Sequence, residues 1–186
     1  MNKAFFLDRD GVVNVEVNYL HRPEDTVLIP GLSSALRKIH DAGFLAIVIS
    51  NQGGIARGMF GMEDVKAVES RICELLKQEG PDVPEAFYYC PHHKNGIVPE
   101  FSIECECRKP KPGMFFQAAG DWQIDLARSY MIGDRISDLH AAKAAGCIGG
   151  SLVLTGYGEH DAEQARSEGW DVNSSVLQAV EYLLKK

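Results

Sequence analysis

The stretch that most limits how this chain can fold is Phe44-Leu45-Ala46-Ile47-Val48-Ile49, an unbroken apolar run followed at once by Ser50-Asn51-Gln52-Gly53-Gly54. A strand with one wet face alternates apolar and polar side chains, whereas an unbroken run signals a strand covered on both faces, the habit of parallel sheets. The run is far too short to span a bilayer. Before it, Leu32, Leu36 and Ile39 recur at helical spacing between Pro30-Gly31 and Gly43. The rhythm repeats along the chain. Ala4 to Leu7 reads as a strand, Val65, Val68, Ile72, Leu75 and Leu76 as a helix stopped by Gly80-Pro81, and Ala86 to Tyr89 as a strand. A helix is expected from Gly113 toward Gly120, a strand over Ser129–Ile132, and a helix over Ile136–Ala145 ended by Gly146. Short strands at Leu152–Leu154 and near Val172 and a helix over Val176–Leu184 complete the series. The fold class expected is α/β, a three-layer, doubly wound, mostly parallel sheet.

Two stretches break the rhythm. Val15 to Pro30 has no clear period and reads as a long excursion over the sheet edge, and loops of that length are usually functional or disordered. Residues 90 to 112 open with Cys90-Pro91-His92-His93 and close with Cys105-Glu106-Cys107-Arg108-Lys109-Pro110-Lys111-Pro112.

The 186 residues suit one domain spanning 1–186, with 45% hydrophobic and 24% charged residues. A net charge of −7, from 19 Lys plus Arg against 26 Asp plus Glu, argues against nucleic acid and anionic membrane surfaces as partners. Any anionic ligand must then be held by local cations. The first apolar run ends at Asp8, so no export signal is read, and a cytoplasmic protein is expected. In that compartment the five cysteines are reduced or metal-bound. Cys73 and Cys147 read as structural residues.

In a parallel sheet all strand C-termini share one edge, so four loops can converge: Asp8 with Asp10, Ser50 with Asn51, Arg108 with Lys109, and Asp134 with Asp138. Taken alone, Asp8-Arg9-Asp10-Gly11 is an ordinary turn and Lys109 an ordinary surface lysine. Jointly, Asp8-x-Asp10, Ser50 after an apolar strand, Lys109 before a helix and Gly133-Asp134-x-x-x-Asp138 resemble the haloacid dehalogenase superfamily of phosphatases. The resemblance implies Asp8 as nucleophile, Asp10 as acid/base, Ser50 and Lys109 as phosphoryl-binding groups, and Mg²⁺ held by Asp8, Asp134 and the backbone carbonyl of Asp10, with Asp138 and Arg135 nearby. The chemistry suits these residue types. A carboxyl with an unperturbed pKa of about 3.9 is already ionised at neutral pH and needs no base to attack phosphorus. Its difficulty is charge repulsion, which a hard divalent cation and a lysine offset.

Cys90-x-His92 and Cys105-x-Cys107 supply three thiolates and an imidazole, a closed tetrahedral set for structural Zn²⁺ in a loop at about 90–108. His93 is left out of that set and could face substrate. Cys-Pro-His-His, Cys-x-Cys-Arg-Lys-Pro and Asn51-Gln52-Gly53-Gly54-Ile55-Ala56-Arg57-Gly58 resemble the heptose bisphosphate phosphatase branch, which has a minimal cap. That resemblance implies removal of the C7 phosphate of D-glycero-D-manno-heptose 1,7-bisphosphate in bacterial surface-sugar synthesis (lipopolysaccharide core or nucleotide-heptose). The implied substrate contacts are Glu16, Asn18, Tyr19, Asn51, Gln52, Gly53, Arg57 and Arg108. Arg57 and Arg108 are also the cations a second phosphate needs, since a guanidinium can bind phosphate bidentately. The partner expected is a small anionic sugar phosphate, bound by a monomer. Histidinol-phosphate phosphatases share both patterns and are the alternative. A receiver-like signalling domain and a zinc interaction module are the non-enzymatic readings; turnover that requires Mg²⁺ separates the enzyme from both.

Overall fold

The computed structural model describes residues Met1 to Lys186. Its strands are β1 (Ala4–Leu7), β2 (Leu45–Asn51), β3 (Ala86–Cys90), β4 (Tyr130–Gly133), β5 (Gly149–Val153) and β6 (Asp171–Asn173), and its helices are α1 (Leu32–Asp41), α2 (Met62–Glu79), α3 (Gly113–Trp122), α4 (Ile136–Ala145), α5 (Gly158–Ser167) and α6 (Val176–Leu183). All strand pairs are parallel, in the order β3-β2-β1-β4-β5-β6. The chain winds outward from β1 to β3, returns to the other side of β1, and winds outward again. The reversal lies between β1 and β4, the position where open α/β sheets leave a crevice at their carboxyl ends.

Both sheet faces are covered, which is why the strands are apolar without alternation. Phe5, Leu7, Ala46 and Val48 pack with Leu36 and Ile39 of α1, Ile72 of α2 and Val180 of α6. Ala4, Phe6, Ile47 and Ile49 face the opposite way, onto Phe115 of α3, Leu139 of α4 and Ala162 of α5.

The sequence reading did not include α5. Its buried residues are Gly158, Asp161, Ala162 and Ala165, so no large apolar side chains mark a helical period. Strand β2 runs past the apolar stretch through Ser50 and Asn51, which pair with Tyr89 and Cys90 of β3. The excursion after β1 is a long loop with one short 3-10 turn, Pro23–Asp25. It is pinned to the loop behind it by Val15 N–H to the Val27 carbonyl (2.8 Å) and Ile29 N–H to the Val13 carbonyl (3.0 Å). Its tip then crosses the strand ends, where Tyr157 donates to Asn18 Oδ1 (2.7 Å) and Arg57 donates to the Tyr19 hydroxyl. Asn18 and Tyr19 hold left-handed φ values of 55° and 65°. No helix is long and apolar enough to cross a membrane.

Candidate active site

A cavity of about 470 Å³ opens at the carboxyl ends of β1, β2 and β4, lined among others by Asp8, Asp10, Glu16, Ser50, Arg108 and Asp134. Lys109 lies at its floor, 4% exposed, with all three ammonium donors engaged: Asp8 Oδ1 at 2.8 Å, Asp138 Oδ1 at 2.8 Å and the Ile49 carbonyl at 2.9 Å. Its backbone is fixed as well, since Asn51 Nδ2 donates to the Lys109 carbonyl (3.0 Å) and Asn51 Oδ1 accepts from the Lys109 N–H (3.0 Å). Asn51, expected to contact substrate, thus spends its amide on positioning Lys109.

Asp8, Asp134 and Asp138 bring carboxylate oxygens within 4.8 Å of one another. One ammonium cannot neutralise three buried carboxylates. Burial, against the attraction of Lys109, pushes the Asp8 carboxyl up to about 7, and Asp138 adds to the rise. Burial and the charge of Asp8 push Asp134 up to about 8. Asp134 Oδ2 accepts from the Tyr157 N–H (2.8 Å), and Asp138 Oδ2 from the Arg135 N–H (3.0 Å) at the start of α4. Glycine is required around Asp134: a Cβ at Gly11, which has φ 85°, would lie 2.4 Å from Asp134 Oδ2, and one at Gly156 2.2 Å from it.

The Asp10 carboxylate lies outside that triplet, because it is claimed by other donors. Arg9 Nη2 reaches Oδ1 at 2.9 Å and Oδ2 at 3.0 Å, Asn14 Nδ2 reaches Oδ1 at 2.9 Å, and Gln52 Nε2 reaches Oδ2 at 3.1 Å. The backbone carbonyl of Asp10 accepts no hydrogen bond from the backbone. Gln52, 3% exposed, also donates to Ser50 Oγ (2.9 Å), and so bridges two site residues at the floor of the site. Ser50 Oγ keeps its own hydrogen for a ligand.

On the far rim, Arg108 Nη1 donates to the His92 carbonyl (3.1 Å), and Arg57 Nη2 lies 3.3 Å from His93 Nε2. A Cβ at Gly53 would lie 3.1 Å from Arg108 Nη1 and 3.4 Å from the His93 ring, so Gly53 lets these groups close in. Burial first, then Arg108 and Arg57, hold His93 below the usual imidazole range. Glu16 lines the cavity and is raised by burial and by Asp10. The Arg135 guanidinium lies 3.7 Å over the Tyr157 ring.

Beside this rim, Cys90, His92, Cys105 and Cys107 form a group able to hold a metal ion. Sulfur–sulfur distances are 3.1, 3.4 and 3.5 Å, and His92 Nδ1 lies 3.3 Å from Cys107 Sγ and 3.8 Å from Cys90 Sγ. These separations approach the edges of a tetrahedron built on Zn–S bonds of about 2.3 Å. The donor set therefore fits zinc. Sequence reasoning gave no role to Arg9, Asn14, Asp161 or Tyr157. Arg9 lies between the two aspartates of the first loop and Asn14 follows them, but an arginine between two aspartates is indistinguishable in sequence from a solvated one.

Fold and site together define a haloacid dehalogenase-like hydrolase, and a family model described as HAD-hydrolase-like matches residues 106–179. Among curated relatives, D-glycero-beta-D-manno-heptose-1,7-bisphosphate 7-phosphatase of Yersinia pestis is 44% identical over 171 residues, covering 92% of this chain and 90% of its own. The D-glycero-alpha-D-manno-heptose-1,7-bisphosphate 7-phosphatase of Photorhabdus laumondii is 45% identical over 155 residues, covering 83% and 84%. The D,D-heptose 1,7-bisphosphate phosphatase of B. bronchiseptica, solved with magnesium and phosphate, superposes with a TM-score of 0.86 at 34% identity and 98% coverage of both chains. The chain belongs to the heptose-1,7-bisphosphate 7-phosphatase family, a family of phosphoric monoester hydrolases.

Proposed function

We propose that this enzyme removes the C7 phosphate of D-glycero-D-manno-heptose 1,7-bisphosphate through an aspartyl-phosphate intermediate. The observation that carries the reading is one cavity lined both by Asp8, which Lys109 holds, and by Arg108, with His93 and Arg57 lying beside Arg108 just outside that lining. A substrate with one reacting and one non-reacting phosphate matches both groups. The names of the relatives support this substrate over histidinol phosphate, whose ammonium two arginines would repel.

Asp8, Asp134 and the Asp10 carbonyl would hold Mg²⁺, and the excess of buried carboxylate over ammonium is the reason a divalent cation fits there. Bound, it neutralises charge between the attacking carboxylate and the phosphoryl group. An Asp8 oxygen bonds to phosphorus as the C7–O–P linkage breaks, while the Ser50 hydroxyl donates to a phosphoryl oxygen and the Lys109 ammonium, held against Asp8, adds positive charge beside it. Asp10 gives its proton to the departing C7 oxygen. It then takes one from the water that attacks the aspartyl phosphate, which frees Asp8 and inorganic phosphate. Zinc on Cys90, His92, Cys105 and Cys107 would be structural, because four protein donors leave no open position. The reading is of a monomeric, cytoplasmic enzyme. The clustered thiols suit a reducing compartment.

The test is phosphate release from both anomers of the heptose bisphosphate and from histidinol phosphate, for the parent and for Asp8→Asn, with and without Mg²⁺. The expected outcome is a heptose preference, dependence on Mg²⁺, and no turnover by Asp8→Asn. Faster hydrolysis of histidinol phosphate overturns the substrate, and residual turnover by Asp8→Asn overturns the nucleophile.

A further inference from the structure

Arg9 is the largest fully buried side chain in the molecule, at 0% exposure. Its Nη2 donates to both oxygens of Asp10 and to the Leu20 carbonyl (3.1 Å), and its Nε lies 3.2 Å from Asp10 Oδ1. Its Nη1 is buried and makes no hydrogen bond to the protein. Its backbone carbonyl gathers the N–H groups of Val12, Val13 and Asn14 at 3.4, 2.8 and 3.0 Å, which closes the turn after β1.

Stability does not explain such a residue. Desolvating a guanidinium is costly, and a buried ion pair commonly does no better than apolar residues of the same volume. Here one of the donors is left unmatched besides. What the contacts do achieve is geometric. A carboxylate on a short side chain can rotate about its bonds, but one gripped by a planar fork on one side and by Asn14 and Gln52 on the others has a single orientation. Leu20 is 2% exposed and ends the tip that carries Asn18 and Tyr19. The same guanidinium therefore joins the acid/base carboxylate to the segment lying across the cavity.

We propose that Arg9 is a positioning residue for proton transfer: it fixes the orientation of the Asp10 carboxyl toward the departing oxygen and ties that orientation to the seating of the Val15–Pro30 excursion. The inference rests on Asp10 being the acid/base group. It separates two kinds of substrate. An alkyl phosphate expels an alkoxide, which must receive a proton as its bond to phosphorus breaks. A p-nitrophenyl ester expels a stabilised phenolate, which leaves without one. Misorienting Asp10 harms the first and spares the second.

The experiment measures kcat/KM, which spans substrate binding through phosphoryl transfer, on heptose 1,7-bisphosphate and on p-nitrophenyl phosphate for Arg9→Lys, Arg9→Gln and Asp10→Asn. Competitive inhibition by inorganic phosphate is measured on each variant to report on the cavity itself. Both Arg9 variants are expected to lose about 10- to 100-fold on the heptose ester and less than about 3-fold on the aryl ester, a partial form of full acid loss. Phosphate inhibition should be retained, and Arg9→Lys, which keeps the charge without the fork, should still show the bias. Asp10→Asn should show the same bias, larger. Equal losses on both esters by the Arg9 variants, with or without loss of phosphate inhibition, overturn the positioning role. If Asp10→Asn itself is unbiased, the acid/base assignment falls first. If Asp10→Asn is biased and the Arg9 variants are not, only the role of Arg9 falls.

Discussion

Arg108 and Lys109 are neighbours in sequence and opposites in environment. Lys109 is buried with every donor committed, so its position is fixed before any ligand arrives. Arg108 is half-buried and spends one nitrogen on the His92 carbonyl, and the rest of its guanidinium faces the cavity it lines. A ligand phosphate at that end is met by a planar donor array, and the net charge of −7 supplies no general attraction in its place. Arg108→Ala should accordingly cost kcat/KM about 1.5 to 3 kcal/mol more for the bisphosphate than for a simple monophosphate, the worth of one charge-assisted contact. Steady-state kinetics on the two substrates checks this. Equal losses would put Arg108 at the reacting phosphate.

The loop that carries the Cys/His group is the element with least support of its own. Between Cys90 and Gly113 there is no helix or strand, and the loop rests on contacts such as Ile97 and Val98 N–H to the Ala56 carbonyl (2.8 and 3.0 Å). A metal replaces the core that such a loop lacks. Because Cys107 lies two residues before Lys109, loosening it also loosens the catalytic floor. Cys107→Ser is expected to lower zinc content, to lower Tm by more than about 5 °C, and to reduce kcat. Absence of zinc from the purified parent, with a melting curve that chelation leaves unchanged, would remove the site. The gathering of Cys90, His92, Cys105 and Cys107 was legible in sequence because these side chains are chemically distinctive, and β1 and β2 because their apolar runs are. Helix α5 was not, since its buried face is alanine and glycine with Asp161, which sequence cannot tell from a polar loop. Arg9 and Gln52 show the same limit at the site. Each is a polar residue in a loop, and only the fold reveals that Arg9 and Gln52 are 0% and 3% exposed and aimed at Asp10.

At the scale of the whole molecule, the parallel sheet gathers charge that the sequence spreads over more than a hundred positions, from Asp8 to Asp138. The strand reversal between β1 and β4 sets Asp8 beside Asp134 and Asp138, so folding buries these carboxyls together, and burial first, with their mutual repulsion added, raises Asp8 to about 7 and Asp134 to about 8. The consequence for stability has a definite sign. In the unfolded chain these carboxyls titrate near the ordinary aspartate value of 3.8, so between that pH and about 8 the metal-free folded state holds more protons than the unfolded one. Stability then falls as pH rises through that window, opposite to the usual behaviour of a salt-bridged aspartate. Metal-free protein should melt at a higher temperature near pH 5.5 than near pH 8, provided zinc is retained. A divalent cation binds the ionised carboxylates, so Mg²⁺ should raise Tm more at pH 8 than at pH 5.5 and release protons as it binds near pH 7. Thermal melts with and without Mg²⁺ across this range, with Asp134→Asn as the variant that relieves the repulsion, check the account. Asp134→Asn should flatten the pH dependence and abolish the gain from Mg²⁺, and a metal-free protein that grows more stable toward pH 8 would show that Asp8 and Asp134 are already ionised without a cation.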